Sequence, residues 1–110
     1  MDCIFCKIAN GETPSAKVYE DELCLAFKDI EPAAPVHILV VPKAHCASML
    51  EADEAVLGHL MAVAAKVARE NGVAEAGFRC VVNTGADGGQ SVPHLHVHVL
   101  GGRSLAWPPG

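Results

Sequence analysis

Apolar and polar positions change period several times along the chain, and each change marks an element. Val56, Leu60, Val63 and Val67 recur at the i, i+4, i+7, i+11 spacing of one helix face. Acidic Glu51, Asp53 and Glu54 suit the positive end of such a helix and Asn71 with Gly72 suits its stop, which predicts one long helix from Glu51 or Asp53 to about Asn71. CIFCKI, residues 3–8, predicts a short helix with Ile4, Phe5 and Ile8 on its apolar side, followed by a turn at Gly11 and Pro14. Elsewhere the signals are those of strands. KVYE (17–20) and LCLAFK (23–28) read as a hairpin about Asp21 and Glu22, and the most apolar strand lies within 36–45, ended by Pro42. GFRCVVNTG (77–85) and HLHVHVL (94–100) read as a second antiparallel pair. Strands, then a helix, then strands imply a single α+β domain over residues 1–110. Its antiparallel sheet has about five strands, accompanied by one long helix and a short N-terminal helix.

In HLHVHVL, His94, His96 and His98 alternate with Leu95, Val97 and Val99, so on a strand the three imidazoles share one face. Neighbouring rings would be rooted ~6.6 Å apart. The bland reading is a half-buried edge strand; the chemical ones are a metal site or imidazole nucleophilic and acid–base catalysis at phosphorus. Just upstream, NTGADGGQSVP (83–93) offers Gly85, Gly88 and Gly89 with the donors Asn83, Gln90 and Ser91. A glycine-rich turn brings backbone N–H groups close to an anion, and here it feeds directly into the histidines. That context favours a catalytic pocket with a phosphate side. Asp29, where a strand ends, is a turn residue or a carboxylate for a diol such as ribose. His37 supports the imidazole cluster if its strand lies beside the histidine strand. His59 reads as a surface or boundary residue, and C-x-x-C at Cys3 and Cys6 as zinc, redox or chance, with redox least favoured.

Composition narrows the partners. Half the chain is hydrophobic (51%) and only 19% is charged, which excludes a disordered chain. A net charge of −5 with no Lys- or Arg-rich stretch argues against a nucleic-acid polymer, while a single nucleotide can still be held by amides and a few donors. No apolar run reaches the length of a membrane span, and the start lacks a basic region followed by a long apolar segment, so a cytoplasmic protein is expected. Five cysteines, an odd count, point to reduced thiols or a metal site rather than disulfides. The high hydrophobic fraction with an apolar, Pro-rich end points to a buried subunit interface, and Trp107 to docking on this domain or on a partner subunit.

At HLHVHVL, preceded by GGQSV, the chain resembles the histidine triad family of nucleotide hydrolases and transferases, whose signature is three histidines separated by single apolar residues. CIFCKI, LAFKDIEPAAPVHILVVPKAH, VVNTGADGGQSVPHLHVHVLGGR and WPPG extend the resemblance over most of the chain. WPPG makes it most similar to the histidine triad nucleotide-binding proteins. The resemblance implies a HIT-like fold, a homodimer, and hydrolysis of purine nucleoside phosphoramidates.

Carried over by position, the resemblance makes His96 the nucleophile that forms a nucleotidyl-histidine intermediate. His98 would contact the phosphate and help protonate the leaving amine, and His37 would orient His96. Asn83, Gly89, Gln90 and Ser91 match phosphate and leaving-group contacts, and Asp29 the ribose carboxylate. Ile4, Phe5, Ile8, Phe27, Ile30 and Leu39 match the base pocket. No metal is implied for catalysis, but Cys3, Cys6, His45 and His94 would make a structural Cys2His2 zinc site, against unmetallated thiols. Pro93 departs from an aromatic, and Ala106 from a larger polar residue, common in that branch. The alternatives are a nucleotide-binding regulator with little turnover and a zinc-dependent hydrolase with the triad itself as metal ligands.

Overall fold

The computed structural model describes residues 3–110. Its elements in chain order are α1 (Ile4–Ala9), β1 (Lys17–Glu20), β2 (Cys24–Lys28), β3 (Val36–Pro42), α2 (Glu54–Glu70), β4 (Phe78–Val81) and β5 (Val97–Gly101). The five strands form one sheet in the order β1-β2-β3-β5-β4, with every neighbouring pair antiparallel. This is the α+β architecture expected from the sequence, one antiparallel sheet of five strands with one long helix and one short N-terminal helix. Asp53 caps α2 by accepting the Val56 N–H (2.9 Å), and Gly72 ends it at φ +76°.

Period-two alternation sorts the sheet into two faces. Cys24 and Ala26 of β2, Ile38 and Val40 of β3, and Val97 and Val99 of β5 are buried together with Leu60, Val63, Ala64 and Val67 of α2. Leu25, Phe27, Leu39 and Val41 point the other way and pack with Phe5 and Ile8 of α1. Odd-numbered positions of β3 and even-numbered positions of β5 therefore share the α1 face, and these include His37, Leu39 and His98. Register then aligns Phe27 opposite Leu39 and Leu39 opposite His98, one row across three strands, with His37 diagonal to His98.

Two expectations need correction. HLHVHVL is not strand throughout: pairing begins at Val97, because the Leu95 N–H donates to the Cys46 carbonyl (2.7 Å) and the His94 N–H closes a tight turn on the Val92 carbonyl (2.8 Å). Side chains still alternate, with Leu95, Val97 and Val99 in the α2 core. GFRCVVNTG supplies only four residues of strand before the loop turns away. All five cysteines are free thiols, and no helix among the described residues is long and apolar enough to cross a membrane.

Candidate active site and metal cluster

Five histidines divide into two chemical groups, with Phe5 edge-on to both His94 and His96 (ring centroids 5.9 and 5.1 Å). His37, His96 and His98 form one group, the last two with centroids 5.0 Å apart. Backbone geometry fixes their protons. His96 Nδ1 lies 2.8 Å from the His94 carbonyl oxygen, which can only accept, so Nδ1 carries the hydrogen and Nε2 keeps its lone pair. The Ala33 N–H donates to His37 Nδ1 (3.0 Å), which leaves the hydrogen of neutral His37 on Nε2. That Nε2–H faces His98 Nδ1 at 2.9 Å, so His98 accepts there and holds its own hydrogen on Nε2. The expectation that His37 orients His96 is thereby revised: its hydrogen bond goes to His98.

Burial, then the neighbouring His96 and His37, pushes the His98 imidazole down to about 4, against the opposing pull of Asp29. Burial also lowers His37, whose Nε2 lies 3.5 Å from Asp29 Oδ2. Both rings are neutral near pH 7, as the tautomer argument requires.

His96 and His98 line a cavity of about 340 Å³ between α1 and the sheet. Ile4, Phe5 and Ile8 from α1 and Phe27 and Leu39 from the sheet make its apolar end, where the Phe5 and Phe27 rings meet edge-on at 5.7 Å. Asp29 and the outward-facing Ile30, 95% exposed, stand at the rim. Asp29 Oδ1 accepts the Glu31 N–H (2.8 Å). Of the four expected phosphate-loop contacts, Ser91 lines the cavity and the other three do not. Asn83 Nδ2 donates to the Gly88 carbonyl (2.7 Å), and Gln90 accepts from the Gly85 N–H (3.0 Å) while donating to the carbonyls of Ala47 (2.7 Å) and Val92 (3.0 Å). Gly89 turns the loop at φ +75°. These residues shape the loop. The sequence also gave no sign that Thr13, Pro14, Ser15 and Lys28 border the cavity, since they lie in a turn and at a strand end.

The second group is Cys3, Cys6, His45 and His94, whose donor atoms lie within 4.8 Å of one another. Cys3 Sγ is 3.2 Å from His94 Nδ1, Cys6 Sγ 3.3 Å from His45 Nδ1, and the two Nδ1 atoms are 3.2 Å apart. His94 Nε2–H donates to the Pro42 carbonyl (2.9 Å), which turns an unprotonated Nδ1 on the cluster. A tetrahedral zinc site with bonds of about 2.0–2.3 Å needs donors separated by roughly 3.3–3.8 Å, so the set fits. Burial lowers His94 first, and the Pro42 carbonyl opposes it. Periodicity could not have revealed one further joint. Asp21 Oδ2 receives the Tyr19 hydroxyl (2.7 Å) and His59 Nε2 (2.6 Å), tying the β1–β2 turn to α2. Despite burial, hydrogen bonds from Tyr19, the Cys24 and Leu23 N–H groups and His59 hold Asp21 well below the usual carboxylate range.

Comparison with known proteins agrees with this geometry. Residues 10–105 match the HIT domain. A HIT-like protein of Synechococcus elongatus is 57% identical over 99% of this chain and 97% of its own. The crystal structure of a HIT family hydrolase from Legionella pneumophila superposes with a TM-score of 0.95 at 46% identity, covering 99% of this chain and 100% of that one. A zinc-bound histidine triad family protein from Mycobacterium smegmatis superposes at 0.84 with 34% identity, over 94% and 76% of the two chains. With the sheet order, the paired imidazoles and the matched length all in accord, the chain belongs to the HIT domain family and has the fold of its hydrolases.

Proposed function

We propose that the protein hydrolyses purine nucleoside phosphoramidates through a nucleotidyl-histidine intermediate on His96. The observation that carries this reading is the His94 carbonyl, which holds the His96 hydrogen on Nδ1 and leaves a lone pair on Nε2 in a ring that lines the cavity. Nε2 attacks the α-phosphorus, the P–N bond breaks, and the departing nitrogen takes up a proton as amine. Water then attacks phosphorus, the P–Nε2 bond breaks, and nucleoside monophosphate leaves with His96 restored. His98, neutral near pH 7 with its hydrogen on Nε2, suits hydrogen-bond donation to a phosphoryl oxygen better than delivery of a full proton. That leaves the Ser91 hydroxyl as the group to pass a proton from solvent to the amine. Asp29 would accept from the ribose diol, and the Phe5–Phe27 end would hold the base.

Cys3, Cys6, His45 and His94 would hold zinc, which supplies a closed structural centre rather than a reacting one. The same reading makes the working unit a homodimer, supported by the sheet-edge position of β4 and the exposed Phe78 (37%) and Trp107 (79%); sedimentation velocity checks it. The decisive experiment is intact-protein mass spectrometry after rapid mixing with adenosine phosphoramidate. Wild type should gain one adenylyl group and His96→Ala none; consumption of substrate without an adduct would favour direct attack by water at a metal-bound triad.

A further inference from the structure

We propose that Cys3 and Cys6 form a peroxide-sensitive pair, whose closure to a disulfide dismantles the metal site and frees α1 from His45 and His94. This rests on the zinc assignment above, not on the phosphoramidate chemistry. Both thiols belong to one turn: Cys3 is the N-cap of α1, and its Sγ accepts the Cys6 N–H at 3.4 Å. Their sulfurs lie within 4.8 Å of each other, and both reach His94 Nδ1, at 3.2 and 3.5 Å. Positions i and i+3 are neighbours on a turn, so bringing the sulfurs to the about 2.05 Å of a disulfide is a local movement. The pair stands ahead of β1 rather than after a strand, unlike a thioredoxin-like dithiol, and its chemistry is that of thiols held on a metal.

The two sulfurs differ in access. Cys3 is 7% exposed, whereas Cys6 is only half-buried where its Sγ meets His45 Nδ1 at 3.3 Å. On zinc both are held as thiolates, the reactive form. Cys6 is therefore the first to meet hydrogen peroxide: its sulfur attacks one peroxide oxygen, the O–O bond breaks, hydroxide leaves, and Cys6 becomes a sulfenic acid. The Cys3 thiolate then attacks the Cys6 sulfur, the S–S bond forms, and a second hydroxide leaves. Together the sulfurs give up two electrons, and peroxide, with two protons from solvent, ends as two waters. Only His45 and His94 remain as ligands, too few for a closed tetrahedral site. Helix α1 keeps Phe5 and Ile8 in the sheet-facing cluster but loses its tie to the two imidazoles. Because Ile4, Phe5 and Ile8 wall the cavity proposed for the nucleotide, oxidation loosens that wall.

The test treats reduced, zinc-loaded protein with hydrogen peroxide and follows it with a zinc-sensitive dye, peptide mass spectrometry and AMP calorimetry. Zinc should be released in step with a Cys3–Cys6 disulfide, AMP affinity should fall roughly fivefold or more, and dithiothreitol with added zinc should restore both. Cys6→His, which keeps a fourth ligand but removes the second thiol, should hold its zinc through the same treatment. Should that variant take up no zinc, the wild-type disulfide map and its reversal decide alone. Zinc retained under peroxide, or released with oxidation mapped to Cys24, Cys46 or Cys80 instead, overturns the pair. AMP affinity that survives the disulfide overturns the link to the cavity. If reduced protein releases zinc as expected but never binds AMP, the nucleotide reading falls and the redox pair stands; if it takes up no zinc at all, the zinc assignment falls and the pair with it.

Discussion

Among single residues, His98 couples the site to pH. Its ring takes up a proton only near 4 in the folded protein, whereas an unfolded histidine does so near 6.5. As the pH falls between those values the unfolded chain gains protons that folded His98 refuses, so stability declines through that window and the His98 contribution levels off below it. Urea unfolding at pH 7 and pH 4.5 should show the decline, and His98→Asn should shrink it; His37 and His94, also lowered, act in the same direction. The three alternating histidines were legible in the sequence, and their nearness to His37 only on condition that the two strands pair, as they do. Two of their tautomers were not, because the protons on His98 and His94 are placed by groups far along the chain, while the His94 carbonyl that sets His96 lies two residues back in a turn that the periodicity did not show. His37 and His98 are 61 positions apart, and His94 meets the Pro42 carbonyl across 52. The contact between Asp21 and His59 escaped notice for the same reason, since 38 positions separate the two.

Elements differ in what holds them. Helix α2 is secured by core burial: Leu60, 1% exposed, lies against the sheet, and Leu60→Ala should cost about 2–5 kcal/mol in chemical denaturation. At Gly101, a Cβ would stand 2.8 Å from Val73 Cβ, so Gly101→Ala should cost roughly 1–3 kcal/mol by overpacking. Helix α1, of six residues, is too short to persist alone. Its anchors are Phe5 and Ile8 in the sheet-facing cluster and the two thiols that flank its first turn. Since the same helix walls the cavity proposed for the nucleotide, chelation of zinc from zinc-loaded protein should weaken AMP binding by the fivefold or more common for coupled sites, measured by calorimetry. Amide exchange over residues 4–9 should speed up in parallel. Apolar periodicity announced α2 and β3 almost to the residue. It overran at residues 94–96 and 82–85, where side chains keep alternating or stay partly buried while the N–H groups of His94, Leu95 and Gly85 donate to the Val92 and Cys46 carbonyls and the Gln90 side chain instead of a ladder.

Over the whole molecule, β3 sits between β2, only a short connection away, and β5, which is reached after α2 and β4. The fold and the family were readable because the apolar pattern and the histidine motif are both local. Which face each histidine takes follows from register, and register is a long-range property. That pairing has a consequence for how the protein is made. Synthesis proceeds from the N-terminus, and the β2–β3 hairpin can form early, displaying His37 and Leu39 with no partner strand. Pairing of β3 with β5 closes a loop of some sixty residues, a slow and entropically costly step. Nucleotide affinity should therefore arise abruptly rather than by degrees: on the ribosome, every shorter nascent chain is blind to the ligand, and recognition begins only when β5 has emerged.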